Sequence, residues 1–153
     1  DQEVTESLTV KSYKSSTTDS MEVGLCKIDS KNQKVVFAGG MVDLFVVRNG
    51  EIIEHKGDRF PVAGGNTYDK GKFSQVIIKA EEGDAFYMFS DGYADQFGGP
   101  KQKKFLNKNF KKLLIDLHGK SPEEKHQKLK QEFNDWKGET EQLDDVLVIG
   151  FTF

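Results

Sequence analysis

The hydrophobic pattern of this chain changes its period twice, and the order of those changes limits the folds open to it. Strand-like apolar runs fill residues 21–90, apolar residues then recur at helical spacing over 101–137, and "DDVLVIGFTF" (144–153) is again strand-like. Several strands, then a helical pair, then one closing strand predict an α+β fold in which helices layer on a packed antiparallel sheet.

Turn signals divide the strand region. Asn49-Gly50 stands between the predicted strands 43–49 and 51–57, and this pair is a strong hairpin signal because both residues tolerate a positive φ. The run "AFYMFS" (85–90) is almost continuously apolar, which favours a central strand buried on both faces. The other predicted segments are the strands 21–29, 34–39 and 73–80 and the long loop 58–72.

Capping residues bound the two helices of the helical pair, 101–137. Gly119 is typical of a residue that ends a helix, so we expect the first helix to stop there. The second helix begins with Ser121 as N-cap, Pro122 as first helical residue and Glu124 as capping-box partner. The residues at helical core spacing in the first helix are Phe105, Phe110, Leu113, Leu114 and Leu117.

The chain opens without a methionine, on "DQEVTESLTV". Val4 and Leu8 suit the tail of a helix over residues 1–10, and a polar connector follows up to residue 20. We therefore expect one partial domain over residues 1–153, cut from a larger protein.

Length and composition exclude several classes of protein. With 153 residues, the chain is long enough for one soluble globular domain with a real core. Its single cysteine, Cys26, rules out an internal disulfide and fits a reducing compartment, so we expect a cytoplasmic protein. No apolar stretch approaches the roughly 18 residues of a membrane span, and no signal peptide opens the chain. We therefore expect no membrane contact in this segment.

Lysine is concentrated over residues 101–130. This segment holds ten lysines against three acidic residues, in a chain whose formal net charge is −3. The cluster is either the solvated face of the helices or an electrostatic footprint for an anionic partner. Because its phenylalanines fall at core spacing, we expect them to face inward and do not expect nucleic acid as the partner.

Two aspartates lie near the ends of predicted strands. Asp91 follows the central strand 85–90, and Asp144 opens the last strand. If these strands are antiparallel neighbours, both carboxylates meet at one edge of the sheet. Such carboxylates repel each other, and a hard divalent cation such as Mg²⁺, which takes oxygen ligands, removes that conflict. Gly92 would let the backbone turn sharply beside the ligand.

The same residues have ordinary structural interpretations. Asp91-Gly92 is also one of the commonest turn pairs. Acidic residues before an apolar strand, such as Asp144, often protect the strand from aggregation. The local pattern leaves both interpretations open.

Three motifs taken together resemble a known family. The segments "KGDRFPVAGG", "FSDGYADQFGG" and "QLDDVLVIGF" follow the order and spacing of the C-terminal part of stage II sporulation protein E-type bacterial serine phosphatases, and "DSMEVGLCKID" is similar as well. These enzymes belong to the metal-dependent (type 2C) protein phosphatases. The resemblance covers about residues 20–153. It implies an antiparallel β-sandwich with flanking helices, two Mn²⁺ or Mg²⁺ ions at one end, and hydrolysis of phosphoserine or phosphothreonine.

The resemblance also implies roles for individual residues. Asp91 and Asp144 match positions of the family's metal ligands. The resemblance implies that their chain neighbours, Gly92 and Asp145, lie near the metal without binding it directly. The family's upstream patterns are a Gly-Asp pair on an early strand and an Asp-x-x-Gly-His-Gly run. The chain has no Gly-His-Gly, and its first Gly-Asp pair, Gly57-Asp58, comes only after the early strands. The chain therefore resembles only the C-terminal half of a phosphatase domain, and with half of the ligands we expect little activity from it alone.

Two functional hypotheses follow. In the first, the parent domain dephosphorylates a phosphorylated regulatory protein, such as an anti-anti-sigma factor, and either the missing N-terminal half or a second copy of this chain covers the sheet. In the second, the chain is a non-catalytic interaction module of bacterial signalling.

Overall fold

The computed structural model describes residues 20–62 and 72–153. The predicted helix over 1–10, nearly all of the connector and the middle of the predicted loop lie outside the described residues. The chain divides into two compact units, the first containing the described residues up to Leu44 with His55–Ala80, and the second Phe45–Glu54 with Glu81–Phe153. The expectation of one partial domain over 1–153 stays a prediction.

The described residues form nine strands and three helices. No helix in this part of the chain is long and apolar enough to cross a membrane. The helices are α1 (Gly92–Asp95), α2 (Asn107–Asp116) and α3 (Pro122–Lys137). The strands are β1 (Val23–Asp29), β2 (Lys34–Gly40), β3 (Leu44–Arg48), β4 (Glu51–His55), β5 (Val76–Lys79), β6 (Ala85–Phe89), β7 (Phe97–Gly98), β8 (Lys103–Lys104) and β9 (Val148–Thr152).

The first unit contains a three-stranded antiparallel sheet in the order β1-β2-β5. Because side chains alternate between the faces of a sheet, Val35, Phe37 and Ile78 are buried together on one face. Leu25 and Ile77 belong to the opposite face and are 66% and 63% exposed. This sheet therefore presents large apolar side chains on its second face.

The second unit contains a four-stranded sheet in the order β4-β3-β6-β9. Asn49 and Gly50 connect β3 to β4 with φ of +50° and +77°, so the predicted hairpin is confirmed. β6 pairs in antiparallel register with β3 on one side and β9 on the other, and its Phe86 is fully buried. The central position predicted for residues 85–90 is confirmed.

An aromatic core joins the helices to the four-stranded sheet. Phe110 of α2 contacts Phe89 of β6 and Tyr93 of α1, with ring centroids 4.6 Å apart in both pairs. Phe133 of α3 packs on Tyr93 at 5.2 Å. The positions predicted as the apolar face of the first helix are all buried: Phe105, Phe110, Leu113, Leu114 and Leu117.

The caps follow the prediction, but the first helix of the pair predicted over 101–137 begins only at Asn107, because residues 103–104 form β8. The backbone N–H of Glu124 donates to Ser121 Oγ at 3.2 Å, and the backbone N–H of Ser121 donates to the Glu124 carboxylate at 2.8 Å. This reciprocal pair is the predicted capping box. α2 ends at Asp116, and Gly119 follows with a φ of +77°, a conformation that favours glycine.

Two differences from the sequence prediction concern the neighbourhood of the aspartates. Residues 92–104 contain α1, β7 and β8, which are too short to produce a periodic hydrophobic pattern. The last strand begins at Val148, so Asp144 precedes the strand by four residues instead of opening it. Residues 144–147 stay outside the strand because the Ser90 side chain bonds to backbone groups of Asp145 and Leu147.

Candidate metal centre

The end of β6 and the approach to β9 lie side by side. The two strands are antiparallel neighbours, and their last registered pair at this end is Phe89 with Val148. Beyond that pair, the backbone N–H of Ser90 donates to the Leu147 carbonyl at 3.0 Å. β6 and β9 are therefore the antiparallel neighbours that the hypothesis of a metal site requires.

Ser90 fastens these two segments together. Its Oγ donates to the Asp145 carbonyl at 2.8 Å and accepts from the backbone N–H of Leu147 at 2.9 Å. One hydroxyl thus satisfies two backbone groups of the segment that carries Asp144. Sequence reasoning did not find this role, because the partner segment is more than fifty residues away.

Gly92 permits a direct contact between the backbones. A Cβ atom at this position would lie only 2.4 Å from the Asp145 carbonyl oxygen. Gly92 is not among the glycines with positive φ. The turn at this position therefore does not itself require a glycine, whereas the close approach of Asp145 does.

The Asp91 carboxylate lies exposed at the start of α1. Its backbone φ and ψ are −69° and −18°, and its side chain makes no capping hydrogen bond. Its backbone carbonyl accepts from Asp95 at 2.9 Å, but no described residue donates to the carboxylate or pairs with it. The carboxylate is thus open to an external partner, which is the condition for a metal ligand.

Asp144 is also exposed, and it keeps one carboxylate oxygen without a hydrogen bond from the described chain. Its Oδ1 accepts from the backbone N–H of Asp145 at 2.7 Å, and Gln142 Nε2 donates to its carbonyl at 2.8 Å. Within residues 20–62 and 72–153, no group of three or more histidine, cysteine or acidic side chains is arranged to hold a metal ion. The roles of Asp91, Asp144, Asp145 and Gly92 at a metal stay predictions.

The donor set fits a hard cation in kind. Two exposed carboxylates in adjoining segments offer the oxygen ligands that Mg²⁺ and Mn²⁺ prefer, and no described cation neutralises Asp91. The nearest charged neighbour along α1, Asp95, pairs with Lys104 of β8 at 2.7 Å. The positive charge of Lys104 is therefore paired with Asp95, one helical turn after Asp91.

Gln96 is a second residue whose importance the sequence did not reveal. It is only 2% exposed, and its Nε2 donates to the carbonyls of Phe97 and Glu141. Its own carbonyl accepts from Trp136 Nε1 at 3.0 Å. Gln96 thus connects the Asp91 loop to α3 and to the segment that leads to Asp144. Nothing in the local sequence indicates this role.

Comparison with known proteins places this fold in a class. A family model described as "Stage II sporulation protein E (SpoIIE)" matches residues 2–153. The SiaA-PP2C domain of Pseudomonas aeruginosa is similar with a TM-score of 0.81 and 26% identity, over 89% of this chain and 53% of that one. No curated protein sequence matches the chain significantly.

Two further structures share the fold. The phosphatase domain of the cell fate determinant SpoIIE from Bacillus subtilis has a TM-score of 0.62 and 20% identity, over 86% of this chain and 57% of that one. A Mn-presoaked structure of the same domain also has a TM-score of 0.62, with 21% identity over 86% of this chain and 55% of that one. The chain spans about half the length of the structures it matches.

The matches define the class as phosphatase domains of the PP2C fold, and they confirm the predicted α+β fold class with antiparallel sheets. The family model covers nearly the whole sequence. The chain belongs to the stage II sporulation protein E family.

Proposed function

We propose that this chain supplies the Asp91 and Asp144 side of the active site of a metal-dependent phosphoserine and phosphothreonine phosphatase. The observation that carries the proposal is the contact of Gly92 with Asp145, which keeps two segments with exposed carboxylates together at one end of β6. The family supports a phosphatase. The resemblance of the Asp91 and Asp144 motifs to the family's ligand positions is the reason for assigning the cation to these two residues.

In this proposal the chain's residues hold and align the cation. Asp91 and Asp144 provide oxygen ligands, while Ser90 and Gly92 fix the distance between their backbones. A bound Mn²⁺ or Mg²⁺ ion supplies the positive charge that polarises a phosphate ester and activates water. Asp145, also exposed, stands beside Asp144 and is available to orient a water molecule.

Two carboxylates compensate only part of the charge of two divalent ions. We therefore infer that the 153-residue chain has little activity alone and that a complete site needs the upstream part of the domain. That part, or a second copy of the chain, is also the proposed cover of the exposed face that carries Leu25 and Ile77.

A manganese-dependent hydrolysis assay with a phosphoserine peptide tests this proposal. The chain is compared with a version extended upstream to the length of the matched domains. We expect the extended protein to turn over the peptide and the 153-residue chain to remain at least about a hundredfold slower, because lost metal ligation removes several kcal/mol of transition-state stabilisation. Equal rates in the two proteins would refute the inference that the site is incomplete, and an inactive extended protein would refute the phosphatase assignment.

We further propose that the substrate is a phosphorylated regulatory protein, for example an anti-anti-sigma factor, captured in the cytoplasm. The lysine-rich segment 101–130 supports an anionic partner. Lys101, Lys103 and Lys108 are exposed and form no ion pair with described residues. Their charge is therefore available to a phosphoprotein.

The exposed apolar face of the three-stranded sheet favours a second candidate, a non-catalytic interaction module. Leu25 and Ile77 would then contact a signalling partner directly. The coding region upstream of Asp1 distinguishes the candidates. An in-frame segment with a Gly-Asp strand and a Gly-His-Gly run supports the enzyme, whereas an unrelated sequence supports the module.

A further inference from the structure

Leu106, between β8 and α2, breaks two rules of local structure. Its backbone has a φ of +73° and a ψ of 143°, a region that bulky residues rarely enter. It also stands at the N-cap of α2, where Ser, Thr, Asp, Asn or Gly is usual, and its side chain makes no capping hydrogen bond. A glycine would meet both requirements without strain, so the backbone does not explain a leucine here.

Packing explains this leucine only in part. Its neighbour Phe105 is 7% exposed and belongs to the aromatic core, whereas Leu106 is 54% exposed. More than half of the side chain thus contributes no burial that would offset the strained backbone. Strain that a fold retains without a matching gain in packing is typical of functional positions.

The backbone of Leu106 lies beside the short helix that follows Asp91. Its N–H donates to the Ala94 carbonyl at 2.7 Å, and the N–H of Phe105 donates to the Gln96 carbonyl at 3.0 Å. β7 and β8 continue this antiparallel pairing. Ala94 belongs to α1, a single helical turn after Asp91, and one turn advances about 5 Å. Leu106 is therefore close to the candidate metal centre.

The charges around Leu106 are positive and partly unpaired. Lys103 and Lys108 lie on either side of it in the chain, both are exposed, and neither forms an ion pair with described residues. Lys104 pairs with Asp95, and the first turn of α2 contains no acidic residue. An exposed apolar side chain between unpaired ammonium groups complements a segment that offers an apolar residue beside acidic ones.

We propose that Leu106, with Lys103 and Lys108, binds the segment next to the phosphoserine of an acidic substrate protein, and that this segment carries an apolar residue beside a glutamate or aspartate. The inference rests on the proposed function, because it takes the phosphate to lie at the candidate metal centre. An extended chain advances about 3.3 Å per residue, so the apolar residue would stand roughly two to four positions from the phosphoserine. Leu106 is thus a specificity-determining residue that does not touch the reacting atoms.

Three phosphoserine peptides test the proposal on the complete domain, the chain extended upstream as in the hydrolysis assay. The first has leucine and glutamate at the third and fourth positions before the phosphoserine, and the second has them at the same positions after it. The third has alanine and glutamine at all four positions. We expect one of the first two peptides to have a kcat/KM about tenfold above that of the third, because partial burial of a leucine and one charge pair each contribute a few-fold.

Two variants assign this preference to the proposed surface. Leu106→Gly should reduce it to about threefold or less, while the thermal unfolding temperature stays within about 5 °C because relief of the backbone strain offsets the lost burial. Lys108→Met should also reduce the preference to about threefold. The control Ile53→Ala changes a 39% exposed apolar residue on β4, the strand at the other edge of the sheet from β9, and should leave the preference unchanged.

Titration of the ¹⁵N-labelled 153-residue chain with the same peptides needs neither metal nor hydrolysis. We expect the preferred peptide to shift the amide signals of Leu106 and Lys108 saturably. The peptide with alanine and glutamine should bind at least about fivefold more weakly, because it lacks the apolar and acidic side chains.

Equal kcat/KM values for the three peptides would overturn the proposal, and so would an unchanged preference in Leu106→Gly. If that variant does not fold, an unchanged preference in Lys108→Met overturns the proposal instead. Hydrolysis of none of the peptides would refute the proposed function, and the titration then decides about the surface. In that case, the absence of saturable shifts at Leu106 up to about 10 mM peptide, a concentration that detects even millimolar affinity, would overturn the proposal.

Discussion

Asp84 and Asp91 lie just before and just after the same strand, β6, yet their surroundings are opposite. Asp84 is 2% exposed, accepts from Arg48 Nε at 2.8 Å and Nη2 at 2.5 Å, and accepts from the backbone N–H of Glu81 at 2.8 Å. Asp91 is exposed, and no described residue donates to its carboxylate. One end of the strand thus carries an aspartate with a structural role, and the other carries an aspartate with no structural partner.

Asp43 of the first unit is a second aspartate with a structural role. Asp43 accepts from Lys56 Nζ at 2.9 Å, from the backbone N–H of Gly57 at 3.0 Å and from Arg59 Nη2 at 3.0 Å. Burial alone raises the pKa of this carboxyl, but the three donors outweigh burial and hold the pKa below its usual value. Where an aspartate stabilises this fold, it is surrounded by donors. Asp91 has no such donors among the described residues, which supports its proposed role as a metal ligand.

The largest effect is expected at the aspartate without partners. In the complete domain, Asp91→Asn should lower manganese-dependent hydrolysis of a phosphoserine peptide at least about a hundredfold, because a neutral amide holds a divalent cation poorly. Since no described group bonds to the carboxylate, the free energy of unfolding in urea should change by less than about 0.5 kcal/mol.

Matched variants make this result specific. Asp144→Asn should reduce hydrolysis similarly, whereas Asp116→Asn, at an exposed position at the end of α2, should not. Normal hydrolysis by Asp91→Asn would mean that Asp91 is an ordinary turn residue. The two ends of β6 would then not differ in function.

The opposite outcome is expected at the paired aspartate. Asp84→Asn leaves Arg48 without its main partner, and the free energy of unfolding should fall by about 3 kcal/mol, as for other buried ion pairs that lose one member. Urea unfolding measures the change. Asp95→Asn is the control, because the Asp95–Lys104 pair is exposed on both sides and should contribute less than about 1 kcal/mol. A loss at Asp84 as small as that at Asp95 would contradict the structural role.

Stability should fall in acid for the same reason. Burial alone raises the pKa of the Asp84 carboxyl, but the hydrogen bonds and charge of Arg48, with the Glu81 amide, bring it below its usual value. A carboxyl with a lowered folded pKa contributes stability that is present above its unfolded pKa of about 4 and is lost as the pH falls through the folded pKa. Urea unfolding midpoints should therefore drop below about pH 4, and Asp84→Asn should drop less. Parallel curves would contradict this assignment.

The sequence predicted the parts of the site that depend on local pattern. The apolar run of β6, the Asn49-Gly50 turn and the order of strands and helices were sufficient to make β6 central and to place Asp91 near the segment of Asp144. The capping box of α3 was also predicted in full. Each of these features is determined by residues that are neighbours in sequence or by a simple rule of strand order.

The parts that the sequence could not predict depend on contacts across the chain. Ser90 acts on Asp145 and Leu147, and Gln96 acts on Glu141, so neither residue leaves a local signal. The Asp91-Gly92 pair indicated only a turn, because the oxygen that requires the glycine comes from a distant segment. Close contacts between distant segments leave no periodic pattern in the sequence.

The smallest effect is expected from the lysines, which also divide into residues with and without an ionic partner. Lys56 is paired with Asp43, whereas Lys101, Lys103 and Lys108 have no acidic partner among the described residues. Changing these three to Glu in the complete domain should lower kcat/KM for an acidic phosphoprotein about three- to tenfold at low salt, and the loss should shrink above about 0.3 M salt, because screening weakens electrostatic capture. A charge-matched variant at Lys27, Lys31 and Lys34 shows whether net charge alone has this effect. Equal losses in both variants would mean that the lysine-rich segment is only a solvated surface. Of the unpaired charges, only those of the aspartates would then be important for hydrolysis.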